Sequence, residues 1–308
     1  MTILRINAQG TQPTIHDSPQ SVESVIRQTR DLPGPVVIMT HGYSYRTHDP
    51  VDCPHDLVLS MAPKARPKRV KSWPRALGLD RPDRLSIAFG WDAHGTLWAA
   101  RRRALQAGQA LARVICCLKQ VNPNRPVHFI GHSLGIEVAL EALHHLEPGQ
   151  LARIISLTGA AYRMRTLDAL STRAGKSAEF INVTARENDL FDFLFERVIA
   201  PSAPSDCAIG QGIAAPNAVT LQLDCSHSLN ALAALGVPIE APNRRICHWS
   251  SYMRPGVFNL YDRLLCSDRP LSLAALQDAL PDQTAARWSR LFALPRYDFP
   301  LPFAQNTP

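Results

Sequence analysis

The residues best placed to do chemistry lie in Gly131-His-Ser-Leu-Gly135. A G-x-S-x-G run alone is a weak motif, because three fixed positions recur by chance. Its flanks sharpen it. Val127-His-Phe-Ile130 reads as a strand entering the motif, and from Leu134 a helical run carries Ile136, Val138, Ala139, Leu140 and Leu143. A serine on a strand-to-helix bend adopts strained dihedrals, so the residues two positions away must be small, and both are glycine. Such a bend lifts the Ser133 hydroxyl clear of the sheet and aims a helix N-terminus at developing negative charge. The competing reading is a chance loop serine.

A serine hydroxyl is a poor nucleophile near pH 7 and needs a base, a group orienting that base, and oxyanion donors. His41-Gly-Tyr43 follows the apolar run Val36 to Thr40, so the backbone N–H groups of Tyr43 and Leu134 are expected to hold the oxyanion, with His41 bracing the loop. The orienting acid is expected at a strand end after the serine. Asp189, in Ala185-Arg-Glu-Asn-Asp189, is the first choice, with Glu187 and Asp192 as stand-ins. For the base, His248 in Cys247-His-Trp-Ser-Ser-Tyr252 is preferred to His227, which follows the run Ala218 to Leu223. His41, Gly42, His132, Phe191 and Trp249 are expected around the substrate.

These residues need a scaffold, and the chain alternates short β-branched runs with longer helical patterns. Strands are expected at Val36–Thr40, Arg84–Phe89, Val127–Ile130, Arg153–Leu157, Phe180–Thr184 and Ala218–Leu223. Runs this short and apolar suit strands buried on both faces, hence an α/β fold with a mostly parallel central sheet flanked by helices. Leu97, Ala100, Ala104, Ala107, Leu111, Val114 and Leu118 form one helical stripe. A single domain is expected over residues 1–308, with its core at about 34–265. Insertions are expected at about 43–80 and 190–215, with a C-terminal extension at 270–308 that holds a helix from Leu271 to Leu280.

Length and composition narrow the class. A chain of 308 residues, 45% hydrophobic and 19% charged, can bury a full core and has no run long enough to span a membrane. The N-terminus shows no secretory signal pattern, and seven cysteines lack a repeated spacing. Reduced thiols in a cytoplasmic protein are the expectation. The net charge of +7 is concentrated in Lys64–Lys71 and Arg101–Arg103, which read as solvated faces because no nucleic-acid module accompanies them. No cofactor is implied, and no motif sets an oligomeric state.

The order Ser133, Asp189, His248, with His41-Gly42 upstream, resembles the α/β-hydrolase superfamily, and within it the lipase and esterase branch. The spacings are similar to those of fungal-type triacylglycerol lipases, and the resemblance covers roughly Pro35 to Leu265. It implies a serine hydrolase acting on a small-molecule carboxylic ester through an acyl-enzyme, and the apolar stretch near Phe191 to Phe195 favours a hydrophobic acyl or aromatic substrate. Thioester or amide cleavage and acyl transfer use the same machinery. Two other classes compete. A metal hydrolase draws on His41, His48 and His55, but Gly42, Pro50 and Pro54 forbid one helix aligning them, and no H-E-x-x-H is present. A non-catalytic binding protein on the same fold is the other.

Overall fold

The structure is a computed structural model that describes residues 3–64, 70–79 and 84–292. Among the described residues, eight strands form one sheet: β1 (Ile3–Gln9), β2 (Gln12–Ile15), β3 (Val36–Thr40), β4 (Leu85–Gly90), β5 (Val127–His132), β6 (Arg153–Leu157), β7 (Glu179–Thr184) and β8 (Ala218–Gln222). Their order is β2-β1-β4-β3-β5-β6-β7-β8. Only the β1–β2 hairpin is antiparallel; every other neighbouring pair is parallel.

Because strand side chains alternate sides, each central strand feeds two cores. Val36, Ile38, Ile87, Phe129 and Phe180 enter one core, packed with the helices Leu97–Val121 and Gly135–Ala142. Val37, Met39, Ile130, Ile155 and Ile181 enter the other, closed by the helices Ser226–Ala234, Val257–Leu265 and Leu273–Ala279. Burial on both faces explains why these strands read as unbroken apolar runs. The central helix lies close against its neighbour: a Cβ on Gly108 would come within 2.4 Å of Glu141 Cβ.

The sheet begins earlier than residue 34. β1 and β2 escape a search for apolar runs because Arg5, Asn7 and Gln9 interrupt the first, and Gln12 and Thr14 the second. They form one edge of the sheet, where Ile6 is fully buried but most neighbours are half-buried. The excursion at 43–80 contributes to the second core through Val58, Leu59, Trp73, Leu77 and Leu79. Residues 65–69 of its basic run lie outside the described residues, as does the chain after 292. The segment after Asp189 is a helix, Asp189–Val198, followed by a loop whose Ala208 pairs with Tyr162.

Candidate active site

Ser133 follows the last residue of β5, between β3 and β6, and takes a left-handed φ of +52°. A non-glycine residue pays for that conformation, so the surroundings must hold it. They do. The Ser133 N–H donates to the Leu157 carbonyl (3.0 Å), and the Ser133 carbonyl accepts from Ile136 (3.2 Å) and Ala160 (3.0 Å). Both motif glycines are required by contact: a Cβ on Gly131 would lie 2.7 Å from the Phe129 ring, and one on Gly135 would lie 2.3 Å from the His41 carbonyl oxygen.

The loop after β3 lies directly against the nucleophile. A Cβ on Gly42 would stand 2.9 Å from both Ser133 Cβ and the His132 carbonyl oxygen. His41 braces this loop from beneath. Its Nδ1–H donates to the Gly42 carbonyl (2.8 Å), and its Nε2 accepts from the Trp91 N–H (3.1 Å). Burial pushes its pKa down to about 4, so the ring is neutral and both nitrogens are spent on the loop. Tyr43 is tethered through its hydroxyl to the Gly95 carbonyl. Among the described residues, the N–H groups of Tyr43 and Leu134 make no hydrogen bond. For Leu134, fully buried at the start of a helix, this is an orphan donor beside the serine.

His248 stands beside the same bend. Its carbonyl accepts from His132 Nε2 (3.1 Å) and from the Thr158 hydroxyl (3.2 Å), and Thr158 follows the residue that bonds the Ser133 N–H. Its ring lies 4.5 Å from the His132 ring, centroid to centroid, and stacks on Phe191 at 4.6 Å. Burial, then the neighbouring His132, holds its pKa well below the usual imidazole range. No hydrogen bond to the Ser133 hydroxyl forms among the described residues. His227, by contrast, is exposed at the start of the helix Ser226–Ala234.

The group behind the ring differs from the expectation. His248 Nδ1 bonds Asn188 Oδ1 at 2.6 Å. Asp189 turns elsewhere: its Oδ2 accepts from the Trp288 N–H (2.7 Å), and its Oδ1 pairs with Arg186 (3.2 Å). The reason lies in the backbone. Asn188 caps the helix Asp189–Val198, and each helical step rotates the side chain by about 100°. Two adjacent residues therefore cannot face the same ring, whereas positions four apart share a face. Asp192 is four beyond Asn188, and its Oδ1 accepts from the Asn188 side-chain N–H at 2.9 Å. The result is a chain of contacts from His248 through the Asn188 amide to Asp192. Burial pushes the Asp192 pKa up to about 7 against the opposing pull of Arg186. Burial also raises that of Asp189. Glu187 is engaged in a buried ion pair with Arg254, and its carbonyl accepts from the Cys247 N–H (2.8 Å), which fixes the segment carrying His248.

The remaining expected residues divide in two. Gly42 and Phe191 touch the nucleophile and the imidazole respectively. His132 is buried, with its pKa pushed down to about 4 by burial, and packs edge-on against Tyr252. Trp249 is 48% exposed and meets Phe191 at 6.1 Å. Asn188 was missed because a search for a carboxylate passes over an amide. The signal available was the i, i+4 pair Asn188/Asp192 at the end of β7.

The sheet, the bend and the loop against it define an α/β-hydrolase fold. Residues 18–159 match the family described as an alpha/beta hydrolase of unknown function (DUF900), and residues 95–228 match a protein family of unknown function (DUF726). Both matched regions contain Ser133; the first adds His41–Tyr43 and the second adds Asn188–Asp192. No curated protein matches the chain. Among the described residues, no helix is long and apolar enough to cross a membrane.

Proposed function

We propose that this chain is a serine hydrolase that cleaves carboxylic esters through an acyl-enzyme. The observation that carries the reading is the left-handed Ser133 on a strand-to-helix bend, with Gly42 packed onto it and His248 alongside. In this mechanism His248 Nε2 removes the hydroxyl proton as Oγ attacks the ester carbonyl carbon. The carbonyl oxygen, now negative, is received by the N–H groups of Tyr43 and Leu134. Asn188 accepts from Nδ1–H, which fixes the tautomer and the plane of the ring, and Asp192 holds the amide. The tetrahedral intermediate collapses as Nε2 returns the proton to the leaving alkoxide oxygen. Water then repeats the sequence on the acyl-enzyme and regenerates Ser133. The serine–imidazole hydrogen bond forms when substrate fills the site, as catalytic hydrogen bonds often align only in the bound enzyme.

Phe191, with exposed Trp249 edge-on to its ring and exposed Leu194 three positions further along the chain, favours a hydrophobic acyl or aromatic substrate. A non-catalytic binder on this fold draws on one observation, the amide rather than a carboxylate behind His248. Hydrolysis of p-nitrophenyl esters of graded acyl length separates the two. The wild type turns over, while Ser133→Ala and His248→Ala lose ~10⁴–10⁶ of that rate and His227→Ala keeps it. A wild type no faster than Ser133→Ala leaves the binder.

A further inference from the structure

Away from Ser133, at the β1–β2 edge, four polar side chains from three segments meet over the end of β4. His16 and Asp17 follow β2, His48 comes from the excursion after β3, and Asn7 projects from β1. His16 Nε2 lies 3.1 Å from Asp17 Oδ2, and His48 Nδ1 lies 3.3 Å from Asp17 Oδ1. One ligand atom from each of the three residues falls within 4.8 Å of the others. These spacings approach the ~3.3 Å edge of a tetrahedron with zinc–ligand bonds of about 2.0–2.1 Å.

The opposite nitrogens of both rings are already gripped. Asn7 Nδ2 is 3.1 Å from His16 Nδ1 and 3.1 Å from His48 Nε2. Below them, buried His55 bonds Asn7 Oδ1 at 2.7 Å and leaves its own Nδ1 without a partner. The two upper rings stack at 4.4 Å. Asp17 and His48 both adopt left-handed φ values, +56° and +62°, at the two ligands nearest solvent. Gly90 is where the cluster meets the sheet: a Cβ there would strike His55 Nε2 (2.8 Å) and crowd Asn7 Oδ1 (3.3 Å).

With the Asn7 amide in this orientation the network closes on itself, each ring donating to Asp17 and accepting from Asn7. A half-turn of that amide reverses the pattern. Oδ1 then accepts from Nδ1–H of His16 and Nε2–H of His48, and Nδ2 donates to His55 Nε2, whose proton moves to Nδ1. No net proton is gained or lost by the rings. The lone pairs of His16 Nε2 and His48 Nδ1 now face the Asp17 carboxylate. An amide accepting from the far nitrogen is the outer-shell arrangement that metal-bound histidines use.

We propose that His16, Asp17 and His48 form a site for a divalent transition ion, with zinc as its ordinary occupant and Asn7 as the outer-shell partner of both imidazoles. Two histidines and one carboxylate suit zinc and its neighbours rather than magnesium or calcium. The half-exposed side of the cluster leaves room for water on the ion. The ion would tie the β1–β2 hairpin to the excursion that begins at Tyr43, independently of the ester-hydrolase reading.

The test uses the full chain without an affinity tag, and Zn²⁺ read by competition with a chromophoric chelator. One Zn²⁺ per chain should bind, and Co²⁺ in its place should give visible d–d absorption. His48→Gln and Asp17→Asn, both at exposed positions, should each weaken binding at least about tenfold, as loss of even outer-shell partners does. Circular dichroism verifies the fold of each variant. Zinc uptake equal in wild type and His48→Gln would place the ion elsewhere, for example on a cysteine, and overturn the proposal, as would a wild type that binds none.

Discussion

Replacing Asn188 should slow ester turnover more than replacing Asp189, against the usual expectation for a carboxylate at this point of the fold. Asn188 Oδ1 is 2.6 Å from His248 Nδ1, and that ring becomes an imidazolium in the transition state. A hydrogen bond to a charged group contributes ~1.5–3 kcal/mol. At ~1.4 kcal/mol per tenfold, Asn188→Ala should lower kcat/KM by about 10- to 150-fold. Asp189→Asn acts on other bonds. The amide keeps an acceptor for the Trp288 N–H but loses the charge facing Arg186. Breaking one side of a buried pair costs about 3–5 kcal/mol, so the expected change is a lower Tm with kcat/KM little altered. Steady-state kinetics on a p-nitrophenyl ester and thermal melts of both variants, in one buffer, provide the comparison. If Asp189→Asn loses ~10⁴ in turnover with its Tm unchanged while Asn188→Ala stays active, Asp189 and not Asn188 orients the ring.

Two further outcomes follow from the same geometry. Gly42→Ala should abolish turnover while costing ~1–3 kcal/mol of stability, because its methyl would lie 2.9 Å from Ser133 Cβ; rates near wild type with a normal melt would show that the loop is not packed there. Asp192, with a folded pKa raised to about 7, binds its proton more tightly folded than unfolded. Its contribution is therefore complete below the unfolded value of ~3.9 and is lost as pH rises towards 7. Relative to the wild type, Asp192→Asn should gain Tm between about pH 5 and 7.5. Parallel Tm curves for the two proteins across that range would refute the shift.

What could be read from the residues alone follows from how each element is buried. Six strands covered on both faces announce themselves as unbroken apolar runs, and Val36–Thr40 and Arg153–Leu157 match to the residue. The helix Leu97–Val121 was legible from its stripe, and the bend at Ser133 from its two glycines and its flanks. β1 and β2 were not, since polar residues alternate through an edge that is only half covered. The site divides along the same line. Positions fixed by backbone, namely Ser133, Gly42 and the loop of His41, follow from order along the chain. Side-chain direction at the start of a helix does not, which is why Asp189 and Asn188 exchange places at the imidazole. The His16, Asp17 and His48 cluster was beyond reach for a related reason: it joins a hairpin and an excursion that only the sheet brings together.

Ester cleavage at this site requires the Ser133 hydroxyl to be an activated nucleophile. Incubating the folded chain with a fluorophosphonate and mapping the adduct by peptide mass spectrometry tests it most directly. A single adduct on the peptide bearing Ser133, absent from Ser133→Ala and slowed in His248→Ala, is the predicted result. A folded wild type that stays unmodified, or carries its adduct on another residue, would show that Ser133 is not an activated nucleophile.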